Sequence, residues 1–341
     1  MKRFTVAAGA AAIAASLALA SAAPGDEPAD GFVYDAMTAP ATVSYSGTVE
    51  SVDIGDQHSE ASVYRIVHRA PDLTQRTYVS PPKLRGDSVL SRGDESYFID
   101  VRRHRVVQSE NDASNDQIAR DDNYLLLRAN YRAVKGAAET FDGRQTRAVT
   151  LVNKFTNRPV MLVRIDEGTK LVLDKQRFAP DGSMASETRF QDVQFSNDLP
   201  ETDFSLPKEY AVVRGEKIGE PSKDVAQVVH SAGFPAAAPR FLPDGFSPLE
   251  GHVIAIRGVR TLHVLYSDGI RTVSLFENPG ASSLDLERLH PQAVKIGDRD
   301  AQYAERGTTT LLAWNDGTLH CALVGELPVD ELERIAGSVS P

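Results

Sequence analysis

Cysteine is nearly absent from this sequence. Cys321 is the single cysteine in 341 residues, so no internal disulfide is possible even in an oxidising compartment. Leu319, Leu323 and Val324 flank it in an apparent strand. An apolar setting of this kind favours a small buried side chain over a reactive thiol.

Motifs that carry catalysis or bind metals are also lacking. The eight histidines form no His-Glu-x-x-His pair, and no Cys-x-x-Cys or acidic calcium loop occurs. Neither Gly-x-Ser-x-Gly nor a P-loop is present. Carboxylates such as Asp142 and Asp181 lie at turns, where hydrogen bonds to the local backbone explain them. The sequence therefore predicts a protein that is not an enzyme and that has no catalytic residues, no metal and no cofactor.

Positive charge is in deficit, with 37 lysines and arginines against 47 acidic residues and a formal net charge of −10. Affinity for nucleic acid comes largely from phosphate neutralisation, so no nucleic-acid partner is expected. Arginines are nevertheless dense between residues 69 and 105, where Arg85, Arg102, Arg103 and Arg105 are candidates for a basic rim. Two interpretations stay open: a solvated strand face, or a rim that meets anionic lipid headgroups or an acidic partner.

A long apolar run occurs near the start of the chain. Lys2 and Arg3 precede the alanine-rich residues 4–20, and the small residues Ala20, Ser21 and Ala22 follow. This pattern predicts a cleavable signal peptide over residues 1–22, with a retained single-span anchor as the alternative. No cysteine follows the run, so lipoprotein processing is not expected. We expect a periplasmic chain that is soluble after signal-peptide cleavage.

Turn signals divide residues 130–195 into short runs. Asp142-Gly143, Asp181-Gly182 and clusters near residues 157 and 167 are typical of tight reversals. Between them apolar residues alternate, for example Val163 and Ile165. The sequence thus predicts an antiparallel meander with one apolar face that something must cover.

The preceding residues continue the strand pattern. Residues 30–37 predict a short helix, residues 124–127 a second one, and runs such as 84–91 and 95–101 predict strands. Aromatic side chains recur along these strands, and they have two interpretations: the lining of an apolar pocket, or ordinary core. The candidates for a lipid cavity are Tyr45, Tyr64, Tyr78, Tyr97, Phe98, Tyr131, Val163 and Ile165.

Proline and glycine crowd residues 213–239, which predicts a linker in which Ser222 caps a short helix over residues 224–230. The pattern predicts two domains, at residues 29–212 and 240–341. In the second, several strand-like runs precede a helix over residues 329–339, which begins after Pro328 and carries Asp330 and Glu331 near its positive end. The expected fold class is α+β, mainly β.

Several segments together resemble a known family. They are Leu84-Arg85-Gly86-Asp87, residues 92–98, Leu125-Leu126-Leu127-Arg128-Ala129-Asn130-Tyr131, the hairpins over residues 165–182, Phe241-Leu242-Pro243-Asp244-Gly245-Phe246, Leu265-Tyr266-Ser267-Asp268-Gly269 and Val324-Gly325-Glu326-Leu327-Pro328. The chain resembles periplasmic regulators of the envelope-stress sigma factor, the RseB/MucB type. Its N-terminal half is also similar to lipoprotein carriers of the LolA/LppX type.

This resemblance implies an N-terminal LolA-like half-barrel of antiparallel strands that covers helices and encloses an apolar cavity, plus a small C-terminal α+β domain. It also implies two kinds of partner. One is an anti-sigma factor, through the periplasmic domain of a single-span membrane protein. The other is a lipid, lipoprotein or lipopolysaccharide acyl chain that releases the anti-sigma factor.

Three functions remain open from the sequence. The leading hypothesis is a regulator that binds an anti-sigma factor and senses lipid or mislocalised lipoprotein in the cavity. The alternative is a periplasmic lipid or lipoprotein carrier or chaperone without a sigma-factor partner. A structural envelope protein, whose sheet is covered by its own helices, is the third.

Overall fold

A computed structural model describes residues 29–55, 59–93, 95–110, 118, 123–199, 204–214, 216–217, 219–256, 258–280 and 289–339. The predicted signal peptide, residues 1–22, lies outside the described residues. The helices are α1 (Ala29–Thr38), α2 (Tyr124–Asn130), α3 (Val225–His230) and α4 (Val329–Ser338), with a 3₁₀ turn at Ala39–Ala41. None of the described helices has the length and apolar character needed to span a bilayer.

Twelve strands form the first sheet, in the order β12-β6-β5-β4-β3-β2-β1-β11-β10-β9-β8-β7. They are β1 (Tyr45–Ile54), β2 (Ser59–Arg69), β3 (Leu73–Ser80), β4 (Ser88–Arg92), β5 (Glu95–Asp100), β6 (Arg105–Glu110), β7 (Tyr131–Phe141), β8 (Arg144–Asn153), β9 (Pro159–Asp166), β10 (Val172–Phe178), β11 (Met184–Phe195) and β12 (Ala211–Arg214). Two meanders, β1–β6 and β7–β11, join where β1 pairs with β11, from Tyr45 opposite Phe195. Only the short β12 pairs in parallel, with β6, among the described strands of this sheet.

The predicted reversals of the meander are confirmed. Asp142 and Gly143 have φ angles of 47° and 73°, and Gly182 has 91°, the left-handed values that tight hairpins require. At the next turn the Asp166 carboxylate accepts a hydrogen bond from the N–H of Thr169 at 2.8 Å. The turn residues therefore set the length of each strand, and the alternation between them sets its buried face.

One strand of the first meander begins later than predicted. The sequence suggests a strand over residues 84–91, but β4 is Ser88–Arg92. The reason is a turn after Pro81, in which Leu84 donates to the Pro81 carbonyl and Gly86 donates to that of Tyr78, both at 2.9 Å. Gly86 has a φ of 89°, which a continuing strand does not adopt.

Eight strands form the second sheet, in the order β13-β14-β15-β16-β20-β19-β18-β17. They are β13 (Glu216–Lys217), β14 (Ser247–Ile256), β15 (Val259–Ser267), β16 (Thr272–Asn278), β17 (Gln292–Ile296), β18 (Arg299–Arg306), β19 (Thr309–Asn315) and β20 (His320–Gly325). As predicted, α4 follows Pro328 and has Asp330 and Glu331 in its first turn. It buries Leu332 and Ile335 against this sheet.

The cap predicted for α3 was wrong. Asp224, not Ser222, caps this helix, since its side chain accepts from the N–H of Gln227 at 3.1 Å. A carboxylate is favoured there because it also faces the positive end of the helix. Ser222 instead accepts from the N–H of Asp224 at 3.2 Å and bridges to Gly251 of β14.

The predicted fold class, α+β and mainly β, is confirmed. The predicted half-barrel corresponds to the first sheet, with α1 and α2 packed beside β7. Phe32 and Val33 of α1 lie in one core cluster with Val163 of β9. Thus short helices do cover part of the apolar face of the sheet.

Candidate functional site

The two sheets meet at the end of α2 and the start of β7. Asn130 donates from its amide to two carbonyl oxygens of the second sheet's loops, Gly245 at 2.8 Å and Asp268 at 2.9 Å. The hydroxyl of Tyr131 donates to Asp268 Oδ2 at 2.6 Å. All three side chains are buried. We call this contact the neutral junction, because the two groups that donate its hydrogen bonds between the sheets, the Asn130 amide and the Tyr131 hydroxyl, carry no charge.

Asp268 is the centre of the neutral junction, and it has no exposed surface. Its carboxylate accepts from the N–H groups of Ile270 at 3.0 Å and Arg271 at 2.7 Å, and from Arg271 Nε at 2.8 Å. The negative charge is therefore compensated within its own turn. Burial and the adjacent Asp268 charge raise the pKa of Tyr131, so the phenol stays protonated and donates.

Glycines allow the close approach at this junction. A side chain on Gly269, where φ is 100°, would place its Cβ 2.4 Å from the backbone nitrogen of Leu127. On Gly245 the same atom would lie 2.9 Å from the Asn130 side chain. The turn between β15 and β16 thus fits against α2 only with glycine at position 269.

A second contact joins the sheets through charged groups. The guanidinium of Arg177 on β10 pairs with both carboxylate oxygens of Glu326, with Nη2 and Oε2 at 2.5 Å. Burial opposes both charges, but their attraction prevails, lowering the pKa of Glu326 and raising that of Arg177. Nearby, Arg306 of the second sheet lies 3.5 Å from Glu60 of the first. We call this the charged junction.

A cavity of about 410 Å³ opens at the charged junction. Its walls are β1, β2, β10 and β11 of the first sheet and the β18–β19 hairpin of the second. Three acidic side chains, Asp53, Glu60 and Glu326, balance three basic ones, Lys175, Arg177 and Arg306, and the hydroxyls of Ser51, Ser186, Thr188 and Thr309 lie between them. Such a lining favours a polar guest with both donors and acceptors, and disfavours an acyl chain.

Asp53 differs from the other two acids of the cavity, because its pKa is raised and theirs are lowered. Burial raises its pKa, the charges of Glu326 and Glu60 act in the same direction, and Arg177 and Lys175 oppose them. No group of three or more metal-ligating side chains occurs among the described residues. The cavity therefore offers hydrogen bonds and balanced charge.

The candidates for a lipid cavity are distributed over three core clusters. Tyr45 and Tyr64 lie in a cluster with Phe190, and Tyr78 packs against its edge. Tyr97 belongs to another cluster. Tyr131, Val163 and Ile165 belong to the cluster beneath α1. Phe98 is half-buried and lies in none of these clusters.

The basic-rim candidates divide into two pairs. Arg85 donates to the Val79 carbonyl at 3.2 Å and Arg102 to the Pro82 carbonyl, so both lie along the turn before β4. Arg103 and Arg105 instead share the buried Asp100, at 3.1 and 3.4 Å. The second pair is therefore partly neutralised.

Segments that carry the resemblance to the RseB/MucB type come together at the junctions. The α2 segment, the loop before β14 and the β15–β16 turn build the neutral junction, and Glu326 of the last segment builds the charged one. The individual contacts are not deducible from the sequence, since Arg177 and Glu326 are 149 positions apart. The sequence does mark Asp268-Gly269 as a turn, but it does not indicate that this turn contacts α2 and β7 of the first sheet.

Comparison with known proteins finds one matching family model and several solved structures with a similar fold. The family described as "Domain of unknown function (DUF4367)" matches residues 236–339. No curated protein matches the chain. The complex structure of MucA and MucB from Pseudomonas aeruginosa matches with a TM-score of 0.63 and 16% identity, covering 92% of this chain and 98% of that one.

Two further solved structures match this chain with lower TM-scores. MucB alone has a TM-score of 0.56 at 16% identity, again covering 92% of this chain and 98% of that one. A LolA superfamily protein from Nitrosomonas europaea has a TM-score of 0.30 at 12% identity, covering 53% and 99%, and so low a score supports no inference. The resemblance to the RseB/MucB type is thus confirmed for the fold, and this chain has a fold similar to that of MucB over 92% of its length.

Proposed function

We propose that this chain is a periplasmic regulator of an envelope-stress sigma factor that binds the extracytoplasmic part of an anti-sigma factor. One observation carries the proposal: the fold is similar, over both sheets, to that of MucB, which has been solved in complex with MucA(peri). The signal-peptide pattern of residues 1–22 supports the same compartment. At 16% identity the partner is inferred by analogy with MucA.

In this proposal the partner binds in the cavity at the charged junction. An extended polypeptide presents alternating N–H and C=O groups, and the cavity supplies hydroxyls, carboxylates and guanidinium groups to meet them. A partner that touches Arg177 and Arg306 at once would contact both sheets. Binding would then depend on how the two sheets are held relative to each other.

The proposed domains follow the two sheets, at residues 29–212 and 240–341, with residues 213–239 as the linker. Part of this linker packs with the second sheet, since Val225, Val228 and Ala232 lie in its core cluster. The short β12 remains on the first sheet. In this proposal the boundary between the two domains therefore lies after Arg214, the last residue of β12 on the first sheet, and before Glu216, the first residue of β13 on the second.

Lipid is the proposed release signal, and its site is the cluster beneath α1. Tyr131, Val163 and Ile165 are almost fully buried there, so an acyl chain must separate α1 from the sheet. Each buried methylene contributes about 0.8 kcal/mol. Lys135 and Lys170 lie over the Phe32 ring at 4.8 and 4.1 Å, where an anionic headgroup would meet them. The signal works only if lipid binds the released and partner-bound states unequally.

The test is crosslinking of the tagged chain in the intact envelope, followed by mass spectrometry. A single-span membrane protein should be recovered, crosslinked through its extracytoplasmic segment. Arg306→Ala, which removes a cavity cation, should weaken its capture about tenfold. Arg240→Ala, at an exposed arginine that does not line the cavity, should leave it unchanged. Recovery of no membrane protein contradicts the proposal. Native mass spectrometry that finds bound lipid, passed to membranes without any protein partner, would instead favour a carrier.

A further inference from the structure

A small apolar and basic surface lies at one end of the second meander, on the face of α2 opposite the residues that form the neutral junction. We call it the α2 tip and define it by Leu125, Arg128, Arg132, Lys154, Phe155 and Arg158. Leu125 is 77% exposed and Phe155 is 53% exposed, the two highest values among the large apolar side chains of the described residues. Exposing these side chains to water costs free energy, which burial in an apolar surrounding would recover.

Hydrogen bonds bring the parts of the α2 tip together. Leu125 and Arg128, three residues apart on α2, share one helical face. The ammonium of Lys154, on the turn after β8, donates to the carbonyls of Arg128 at 2.6 Å and Ala129 at 3.2 Å. Phe155 therefore emerges beside the C-terminal end of α2.

The turn that carries Phe155 is rigidly built. Asn153 Oδ1 accepts from the N–H groups of Phe155 at 2.9 Å and Thr156 at 3.0 Å. Asn157 has a φ of 55° and accepts a hydrogen bond from Arg132 at 3.2 Å. The phenyl ring is thus held outward by the backbone of its own turn.

The fold does not need the exposed face of α2. Leu127 and Asn130, on the opposite face, are buried and make the contacts with the sheet and with the β15–β16 turn. Most of the Leu125 side chain is open to solvent. The α2 tip is therefore an exposed surface whose apolar side chains the fold does not use.

Charge distinguishes this surface from the rest of the chain. Its four cations, Arg128, Arg132, Lys154 and Arg158, are all exposed. Among the described contacts their acidic neighbours are Asp30, 3.6 Å from Arg128, and Asp181, near Arg158. The tip keeps a positive excess in a chain whose net charge is −10. Apolar tips ringed by arginine and lysine are the chemistry of an interfacial membrane contact.

We propose that the α2 tip docks the chain onto an anionic membrane surface. Leu125 and Phe155 enter the headgroup region, and the four cations contact lipid phosphates. Two apolar side chains and four charges give weak, reversible binding that salt reverses. This inference goes beyond the proposed function, since it requires no protein partner.

The experiment is co-sedimentation of the chain, without residues 1–22, with phospholipid vesicles. The chain should bind vesicles that contain phosphatidylglycerol, should bind phosphatidylcholine vesicles far less, and should dissociate as sodium chloride is raised. Leu125→Ser with Phe155→Ser should weaken binding about tenfold. Ile54→Ser with Val79→Ser, at apolar residues 39% and 40% exposed elsewhere, is the matched control and should change nothing.

A second pair of variants tests the charges. Arg132→Ser with Arg158→Ser should weaken binding about fivefold for each cation removed. Arg65→Ser with Arg240→Ser, at two exposed arginines outside the α2 tip, is the control. All eight substituted positions are exposed, and circular dichroism verifies that each variant is folded. No binding to phosphatidylglycerol vesicles, or equal losses in tip and control variants, overturns the proposal. Vesicle binding is measured with no protein partner present, whereas capture of the anti-sigma factor is read from the crosslinked membrane protein, so the two proposals fail separately.

Discussion

Apolar side chains pack in one cluster on the second sheet and in three clusters on the first, among the described residues. The second-sheet cluster runs from Val225 of α3 through Leu275 and Leu323 to Ile335 of α4. On the first sheet, the clusters around Val163, Leu173 and Leu90 are separate. A long twisted sheet covered by two short helices does not bring all its apolar side chains to one place.

This difference indicates where each region can open. A continuous core transmits any loss of packing to all its members, so the second sheet should unfold as one unit. Separate clusters can lose their packing one at a time, because no shared side chain connects them. The first sheet is therefore expected to open one cluster at a time, and the second to open only as a whole.

The largest expected effect comes from a cavity in each core. Leu323→Ala on the second sheet and Leu173→Ala on the first remove fully buried side chains, and each should cost about 2–5 kcal/mol in the free energy of unfolding. Hydrogen exchange should separate them. Leu323→Ala should lower protection across the whole second sheet, and Leu173→Ala only in β1, β2, β10 and β11. Loss of protection across all twelve strands after Leu173→Ala would contradict the comparison.

The continuous core also contains an acid, Glu277, whose titration should set a pH dependence. Burial raises its pKa to about 7, and the N–H of Ala237, at 3.1 Å, only partly offsets this. In the unfolded chain the carboxyl titrates near 4.5. The folded state thus keeps a proton that the unfolded state loses, so this stabilisation is complete below pH 4.5 and is lost as the pH rises through about 7.

Glu277→Gln isolates that effect. The wild-type chain should lose up to about 3 kcal/mol relative to the variant between acidic and mildly alkaline pH, measured by urea unfolding. Burial also lowers the pKa of His263, to about 4, but both proteins contain it and its contribution cancels in the difference. Parallel pH profiles for the two chains would show that Glu277 does not titrate in the core.

Much of the fold of both sheets could be predicted from local sequence signals. The Asp142-Gly143 and Asp181-Gly182 pairs correctly mark turns, because few other residues adopt positive φ angles at low cost. The alternation of Val163 with Ile165 correctly marks a buried face. Pro328 correctly marks the start of α4. Where the hydrogen bonds of a turn decide the strand boundary, as before β4, the same reasoning misplaced the strand.

The site was harder to predict because it depends on contacts between distant residues. Alternation identifies Tyr45, Tyr97 and Tyr131 as inward-facing, but it carries no information on whether they share one space, and they belong to three clusters. The pairing of Arg177 with Glu326 has no local signal at all. Periodicity predicts the face of a strand, and only the register of the whole sheet determines which faces meet.

Gly269→Ala tests whether the two regions stay together through the neutral junction. Its new Cβ would lie 2.4 Å from Leu127 N, whereas at Gly258, which also has a positive φ, nothing lies within 4 Å. Gly258→Ala is therefore a control for the backbone cost alone. The variant at position 269 should be less stable than the control by roughly 2 kcal/mol, and its radius of gyration by X-ray scattering should rise. An unchanged radius would show that the charged junction suffices.

The smallest change expected to register is Tyr131→Phe, which removes one hydrogen bond between the regions. Asp268 keeps Arg271 and two N–H groups as partners, so the loss should be about 1 kcal/mol and not the full cost of an unpaired buried charge. Tyr303→Phe, which removes an exposed hydroxyl bonded to Gln292 at 2.8 Å, should cost almost nothing by urea unfolding. Equal losses would mean that Asp268 gains nothing from the phenol, and the first sheet would then be held to the second chiefly by Asn130 and the Arg177–Glu326 pair.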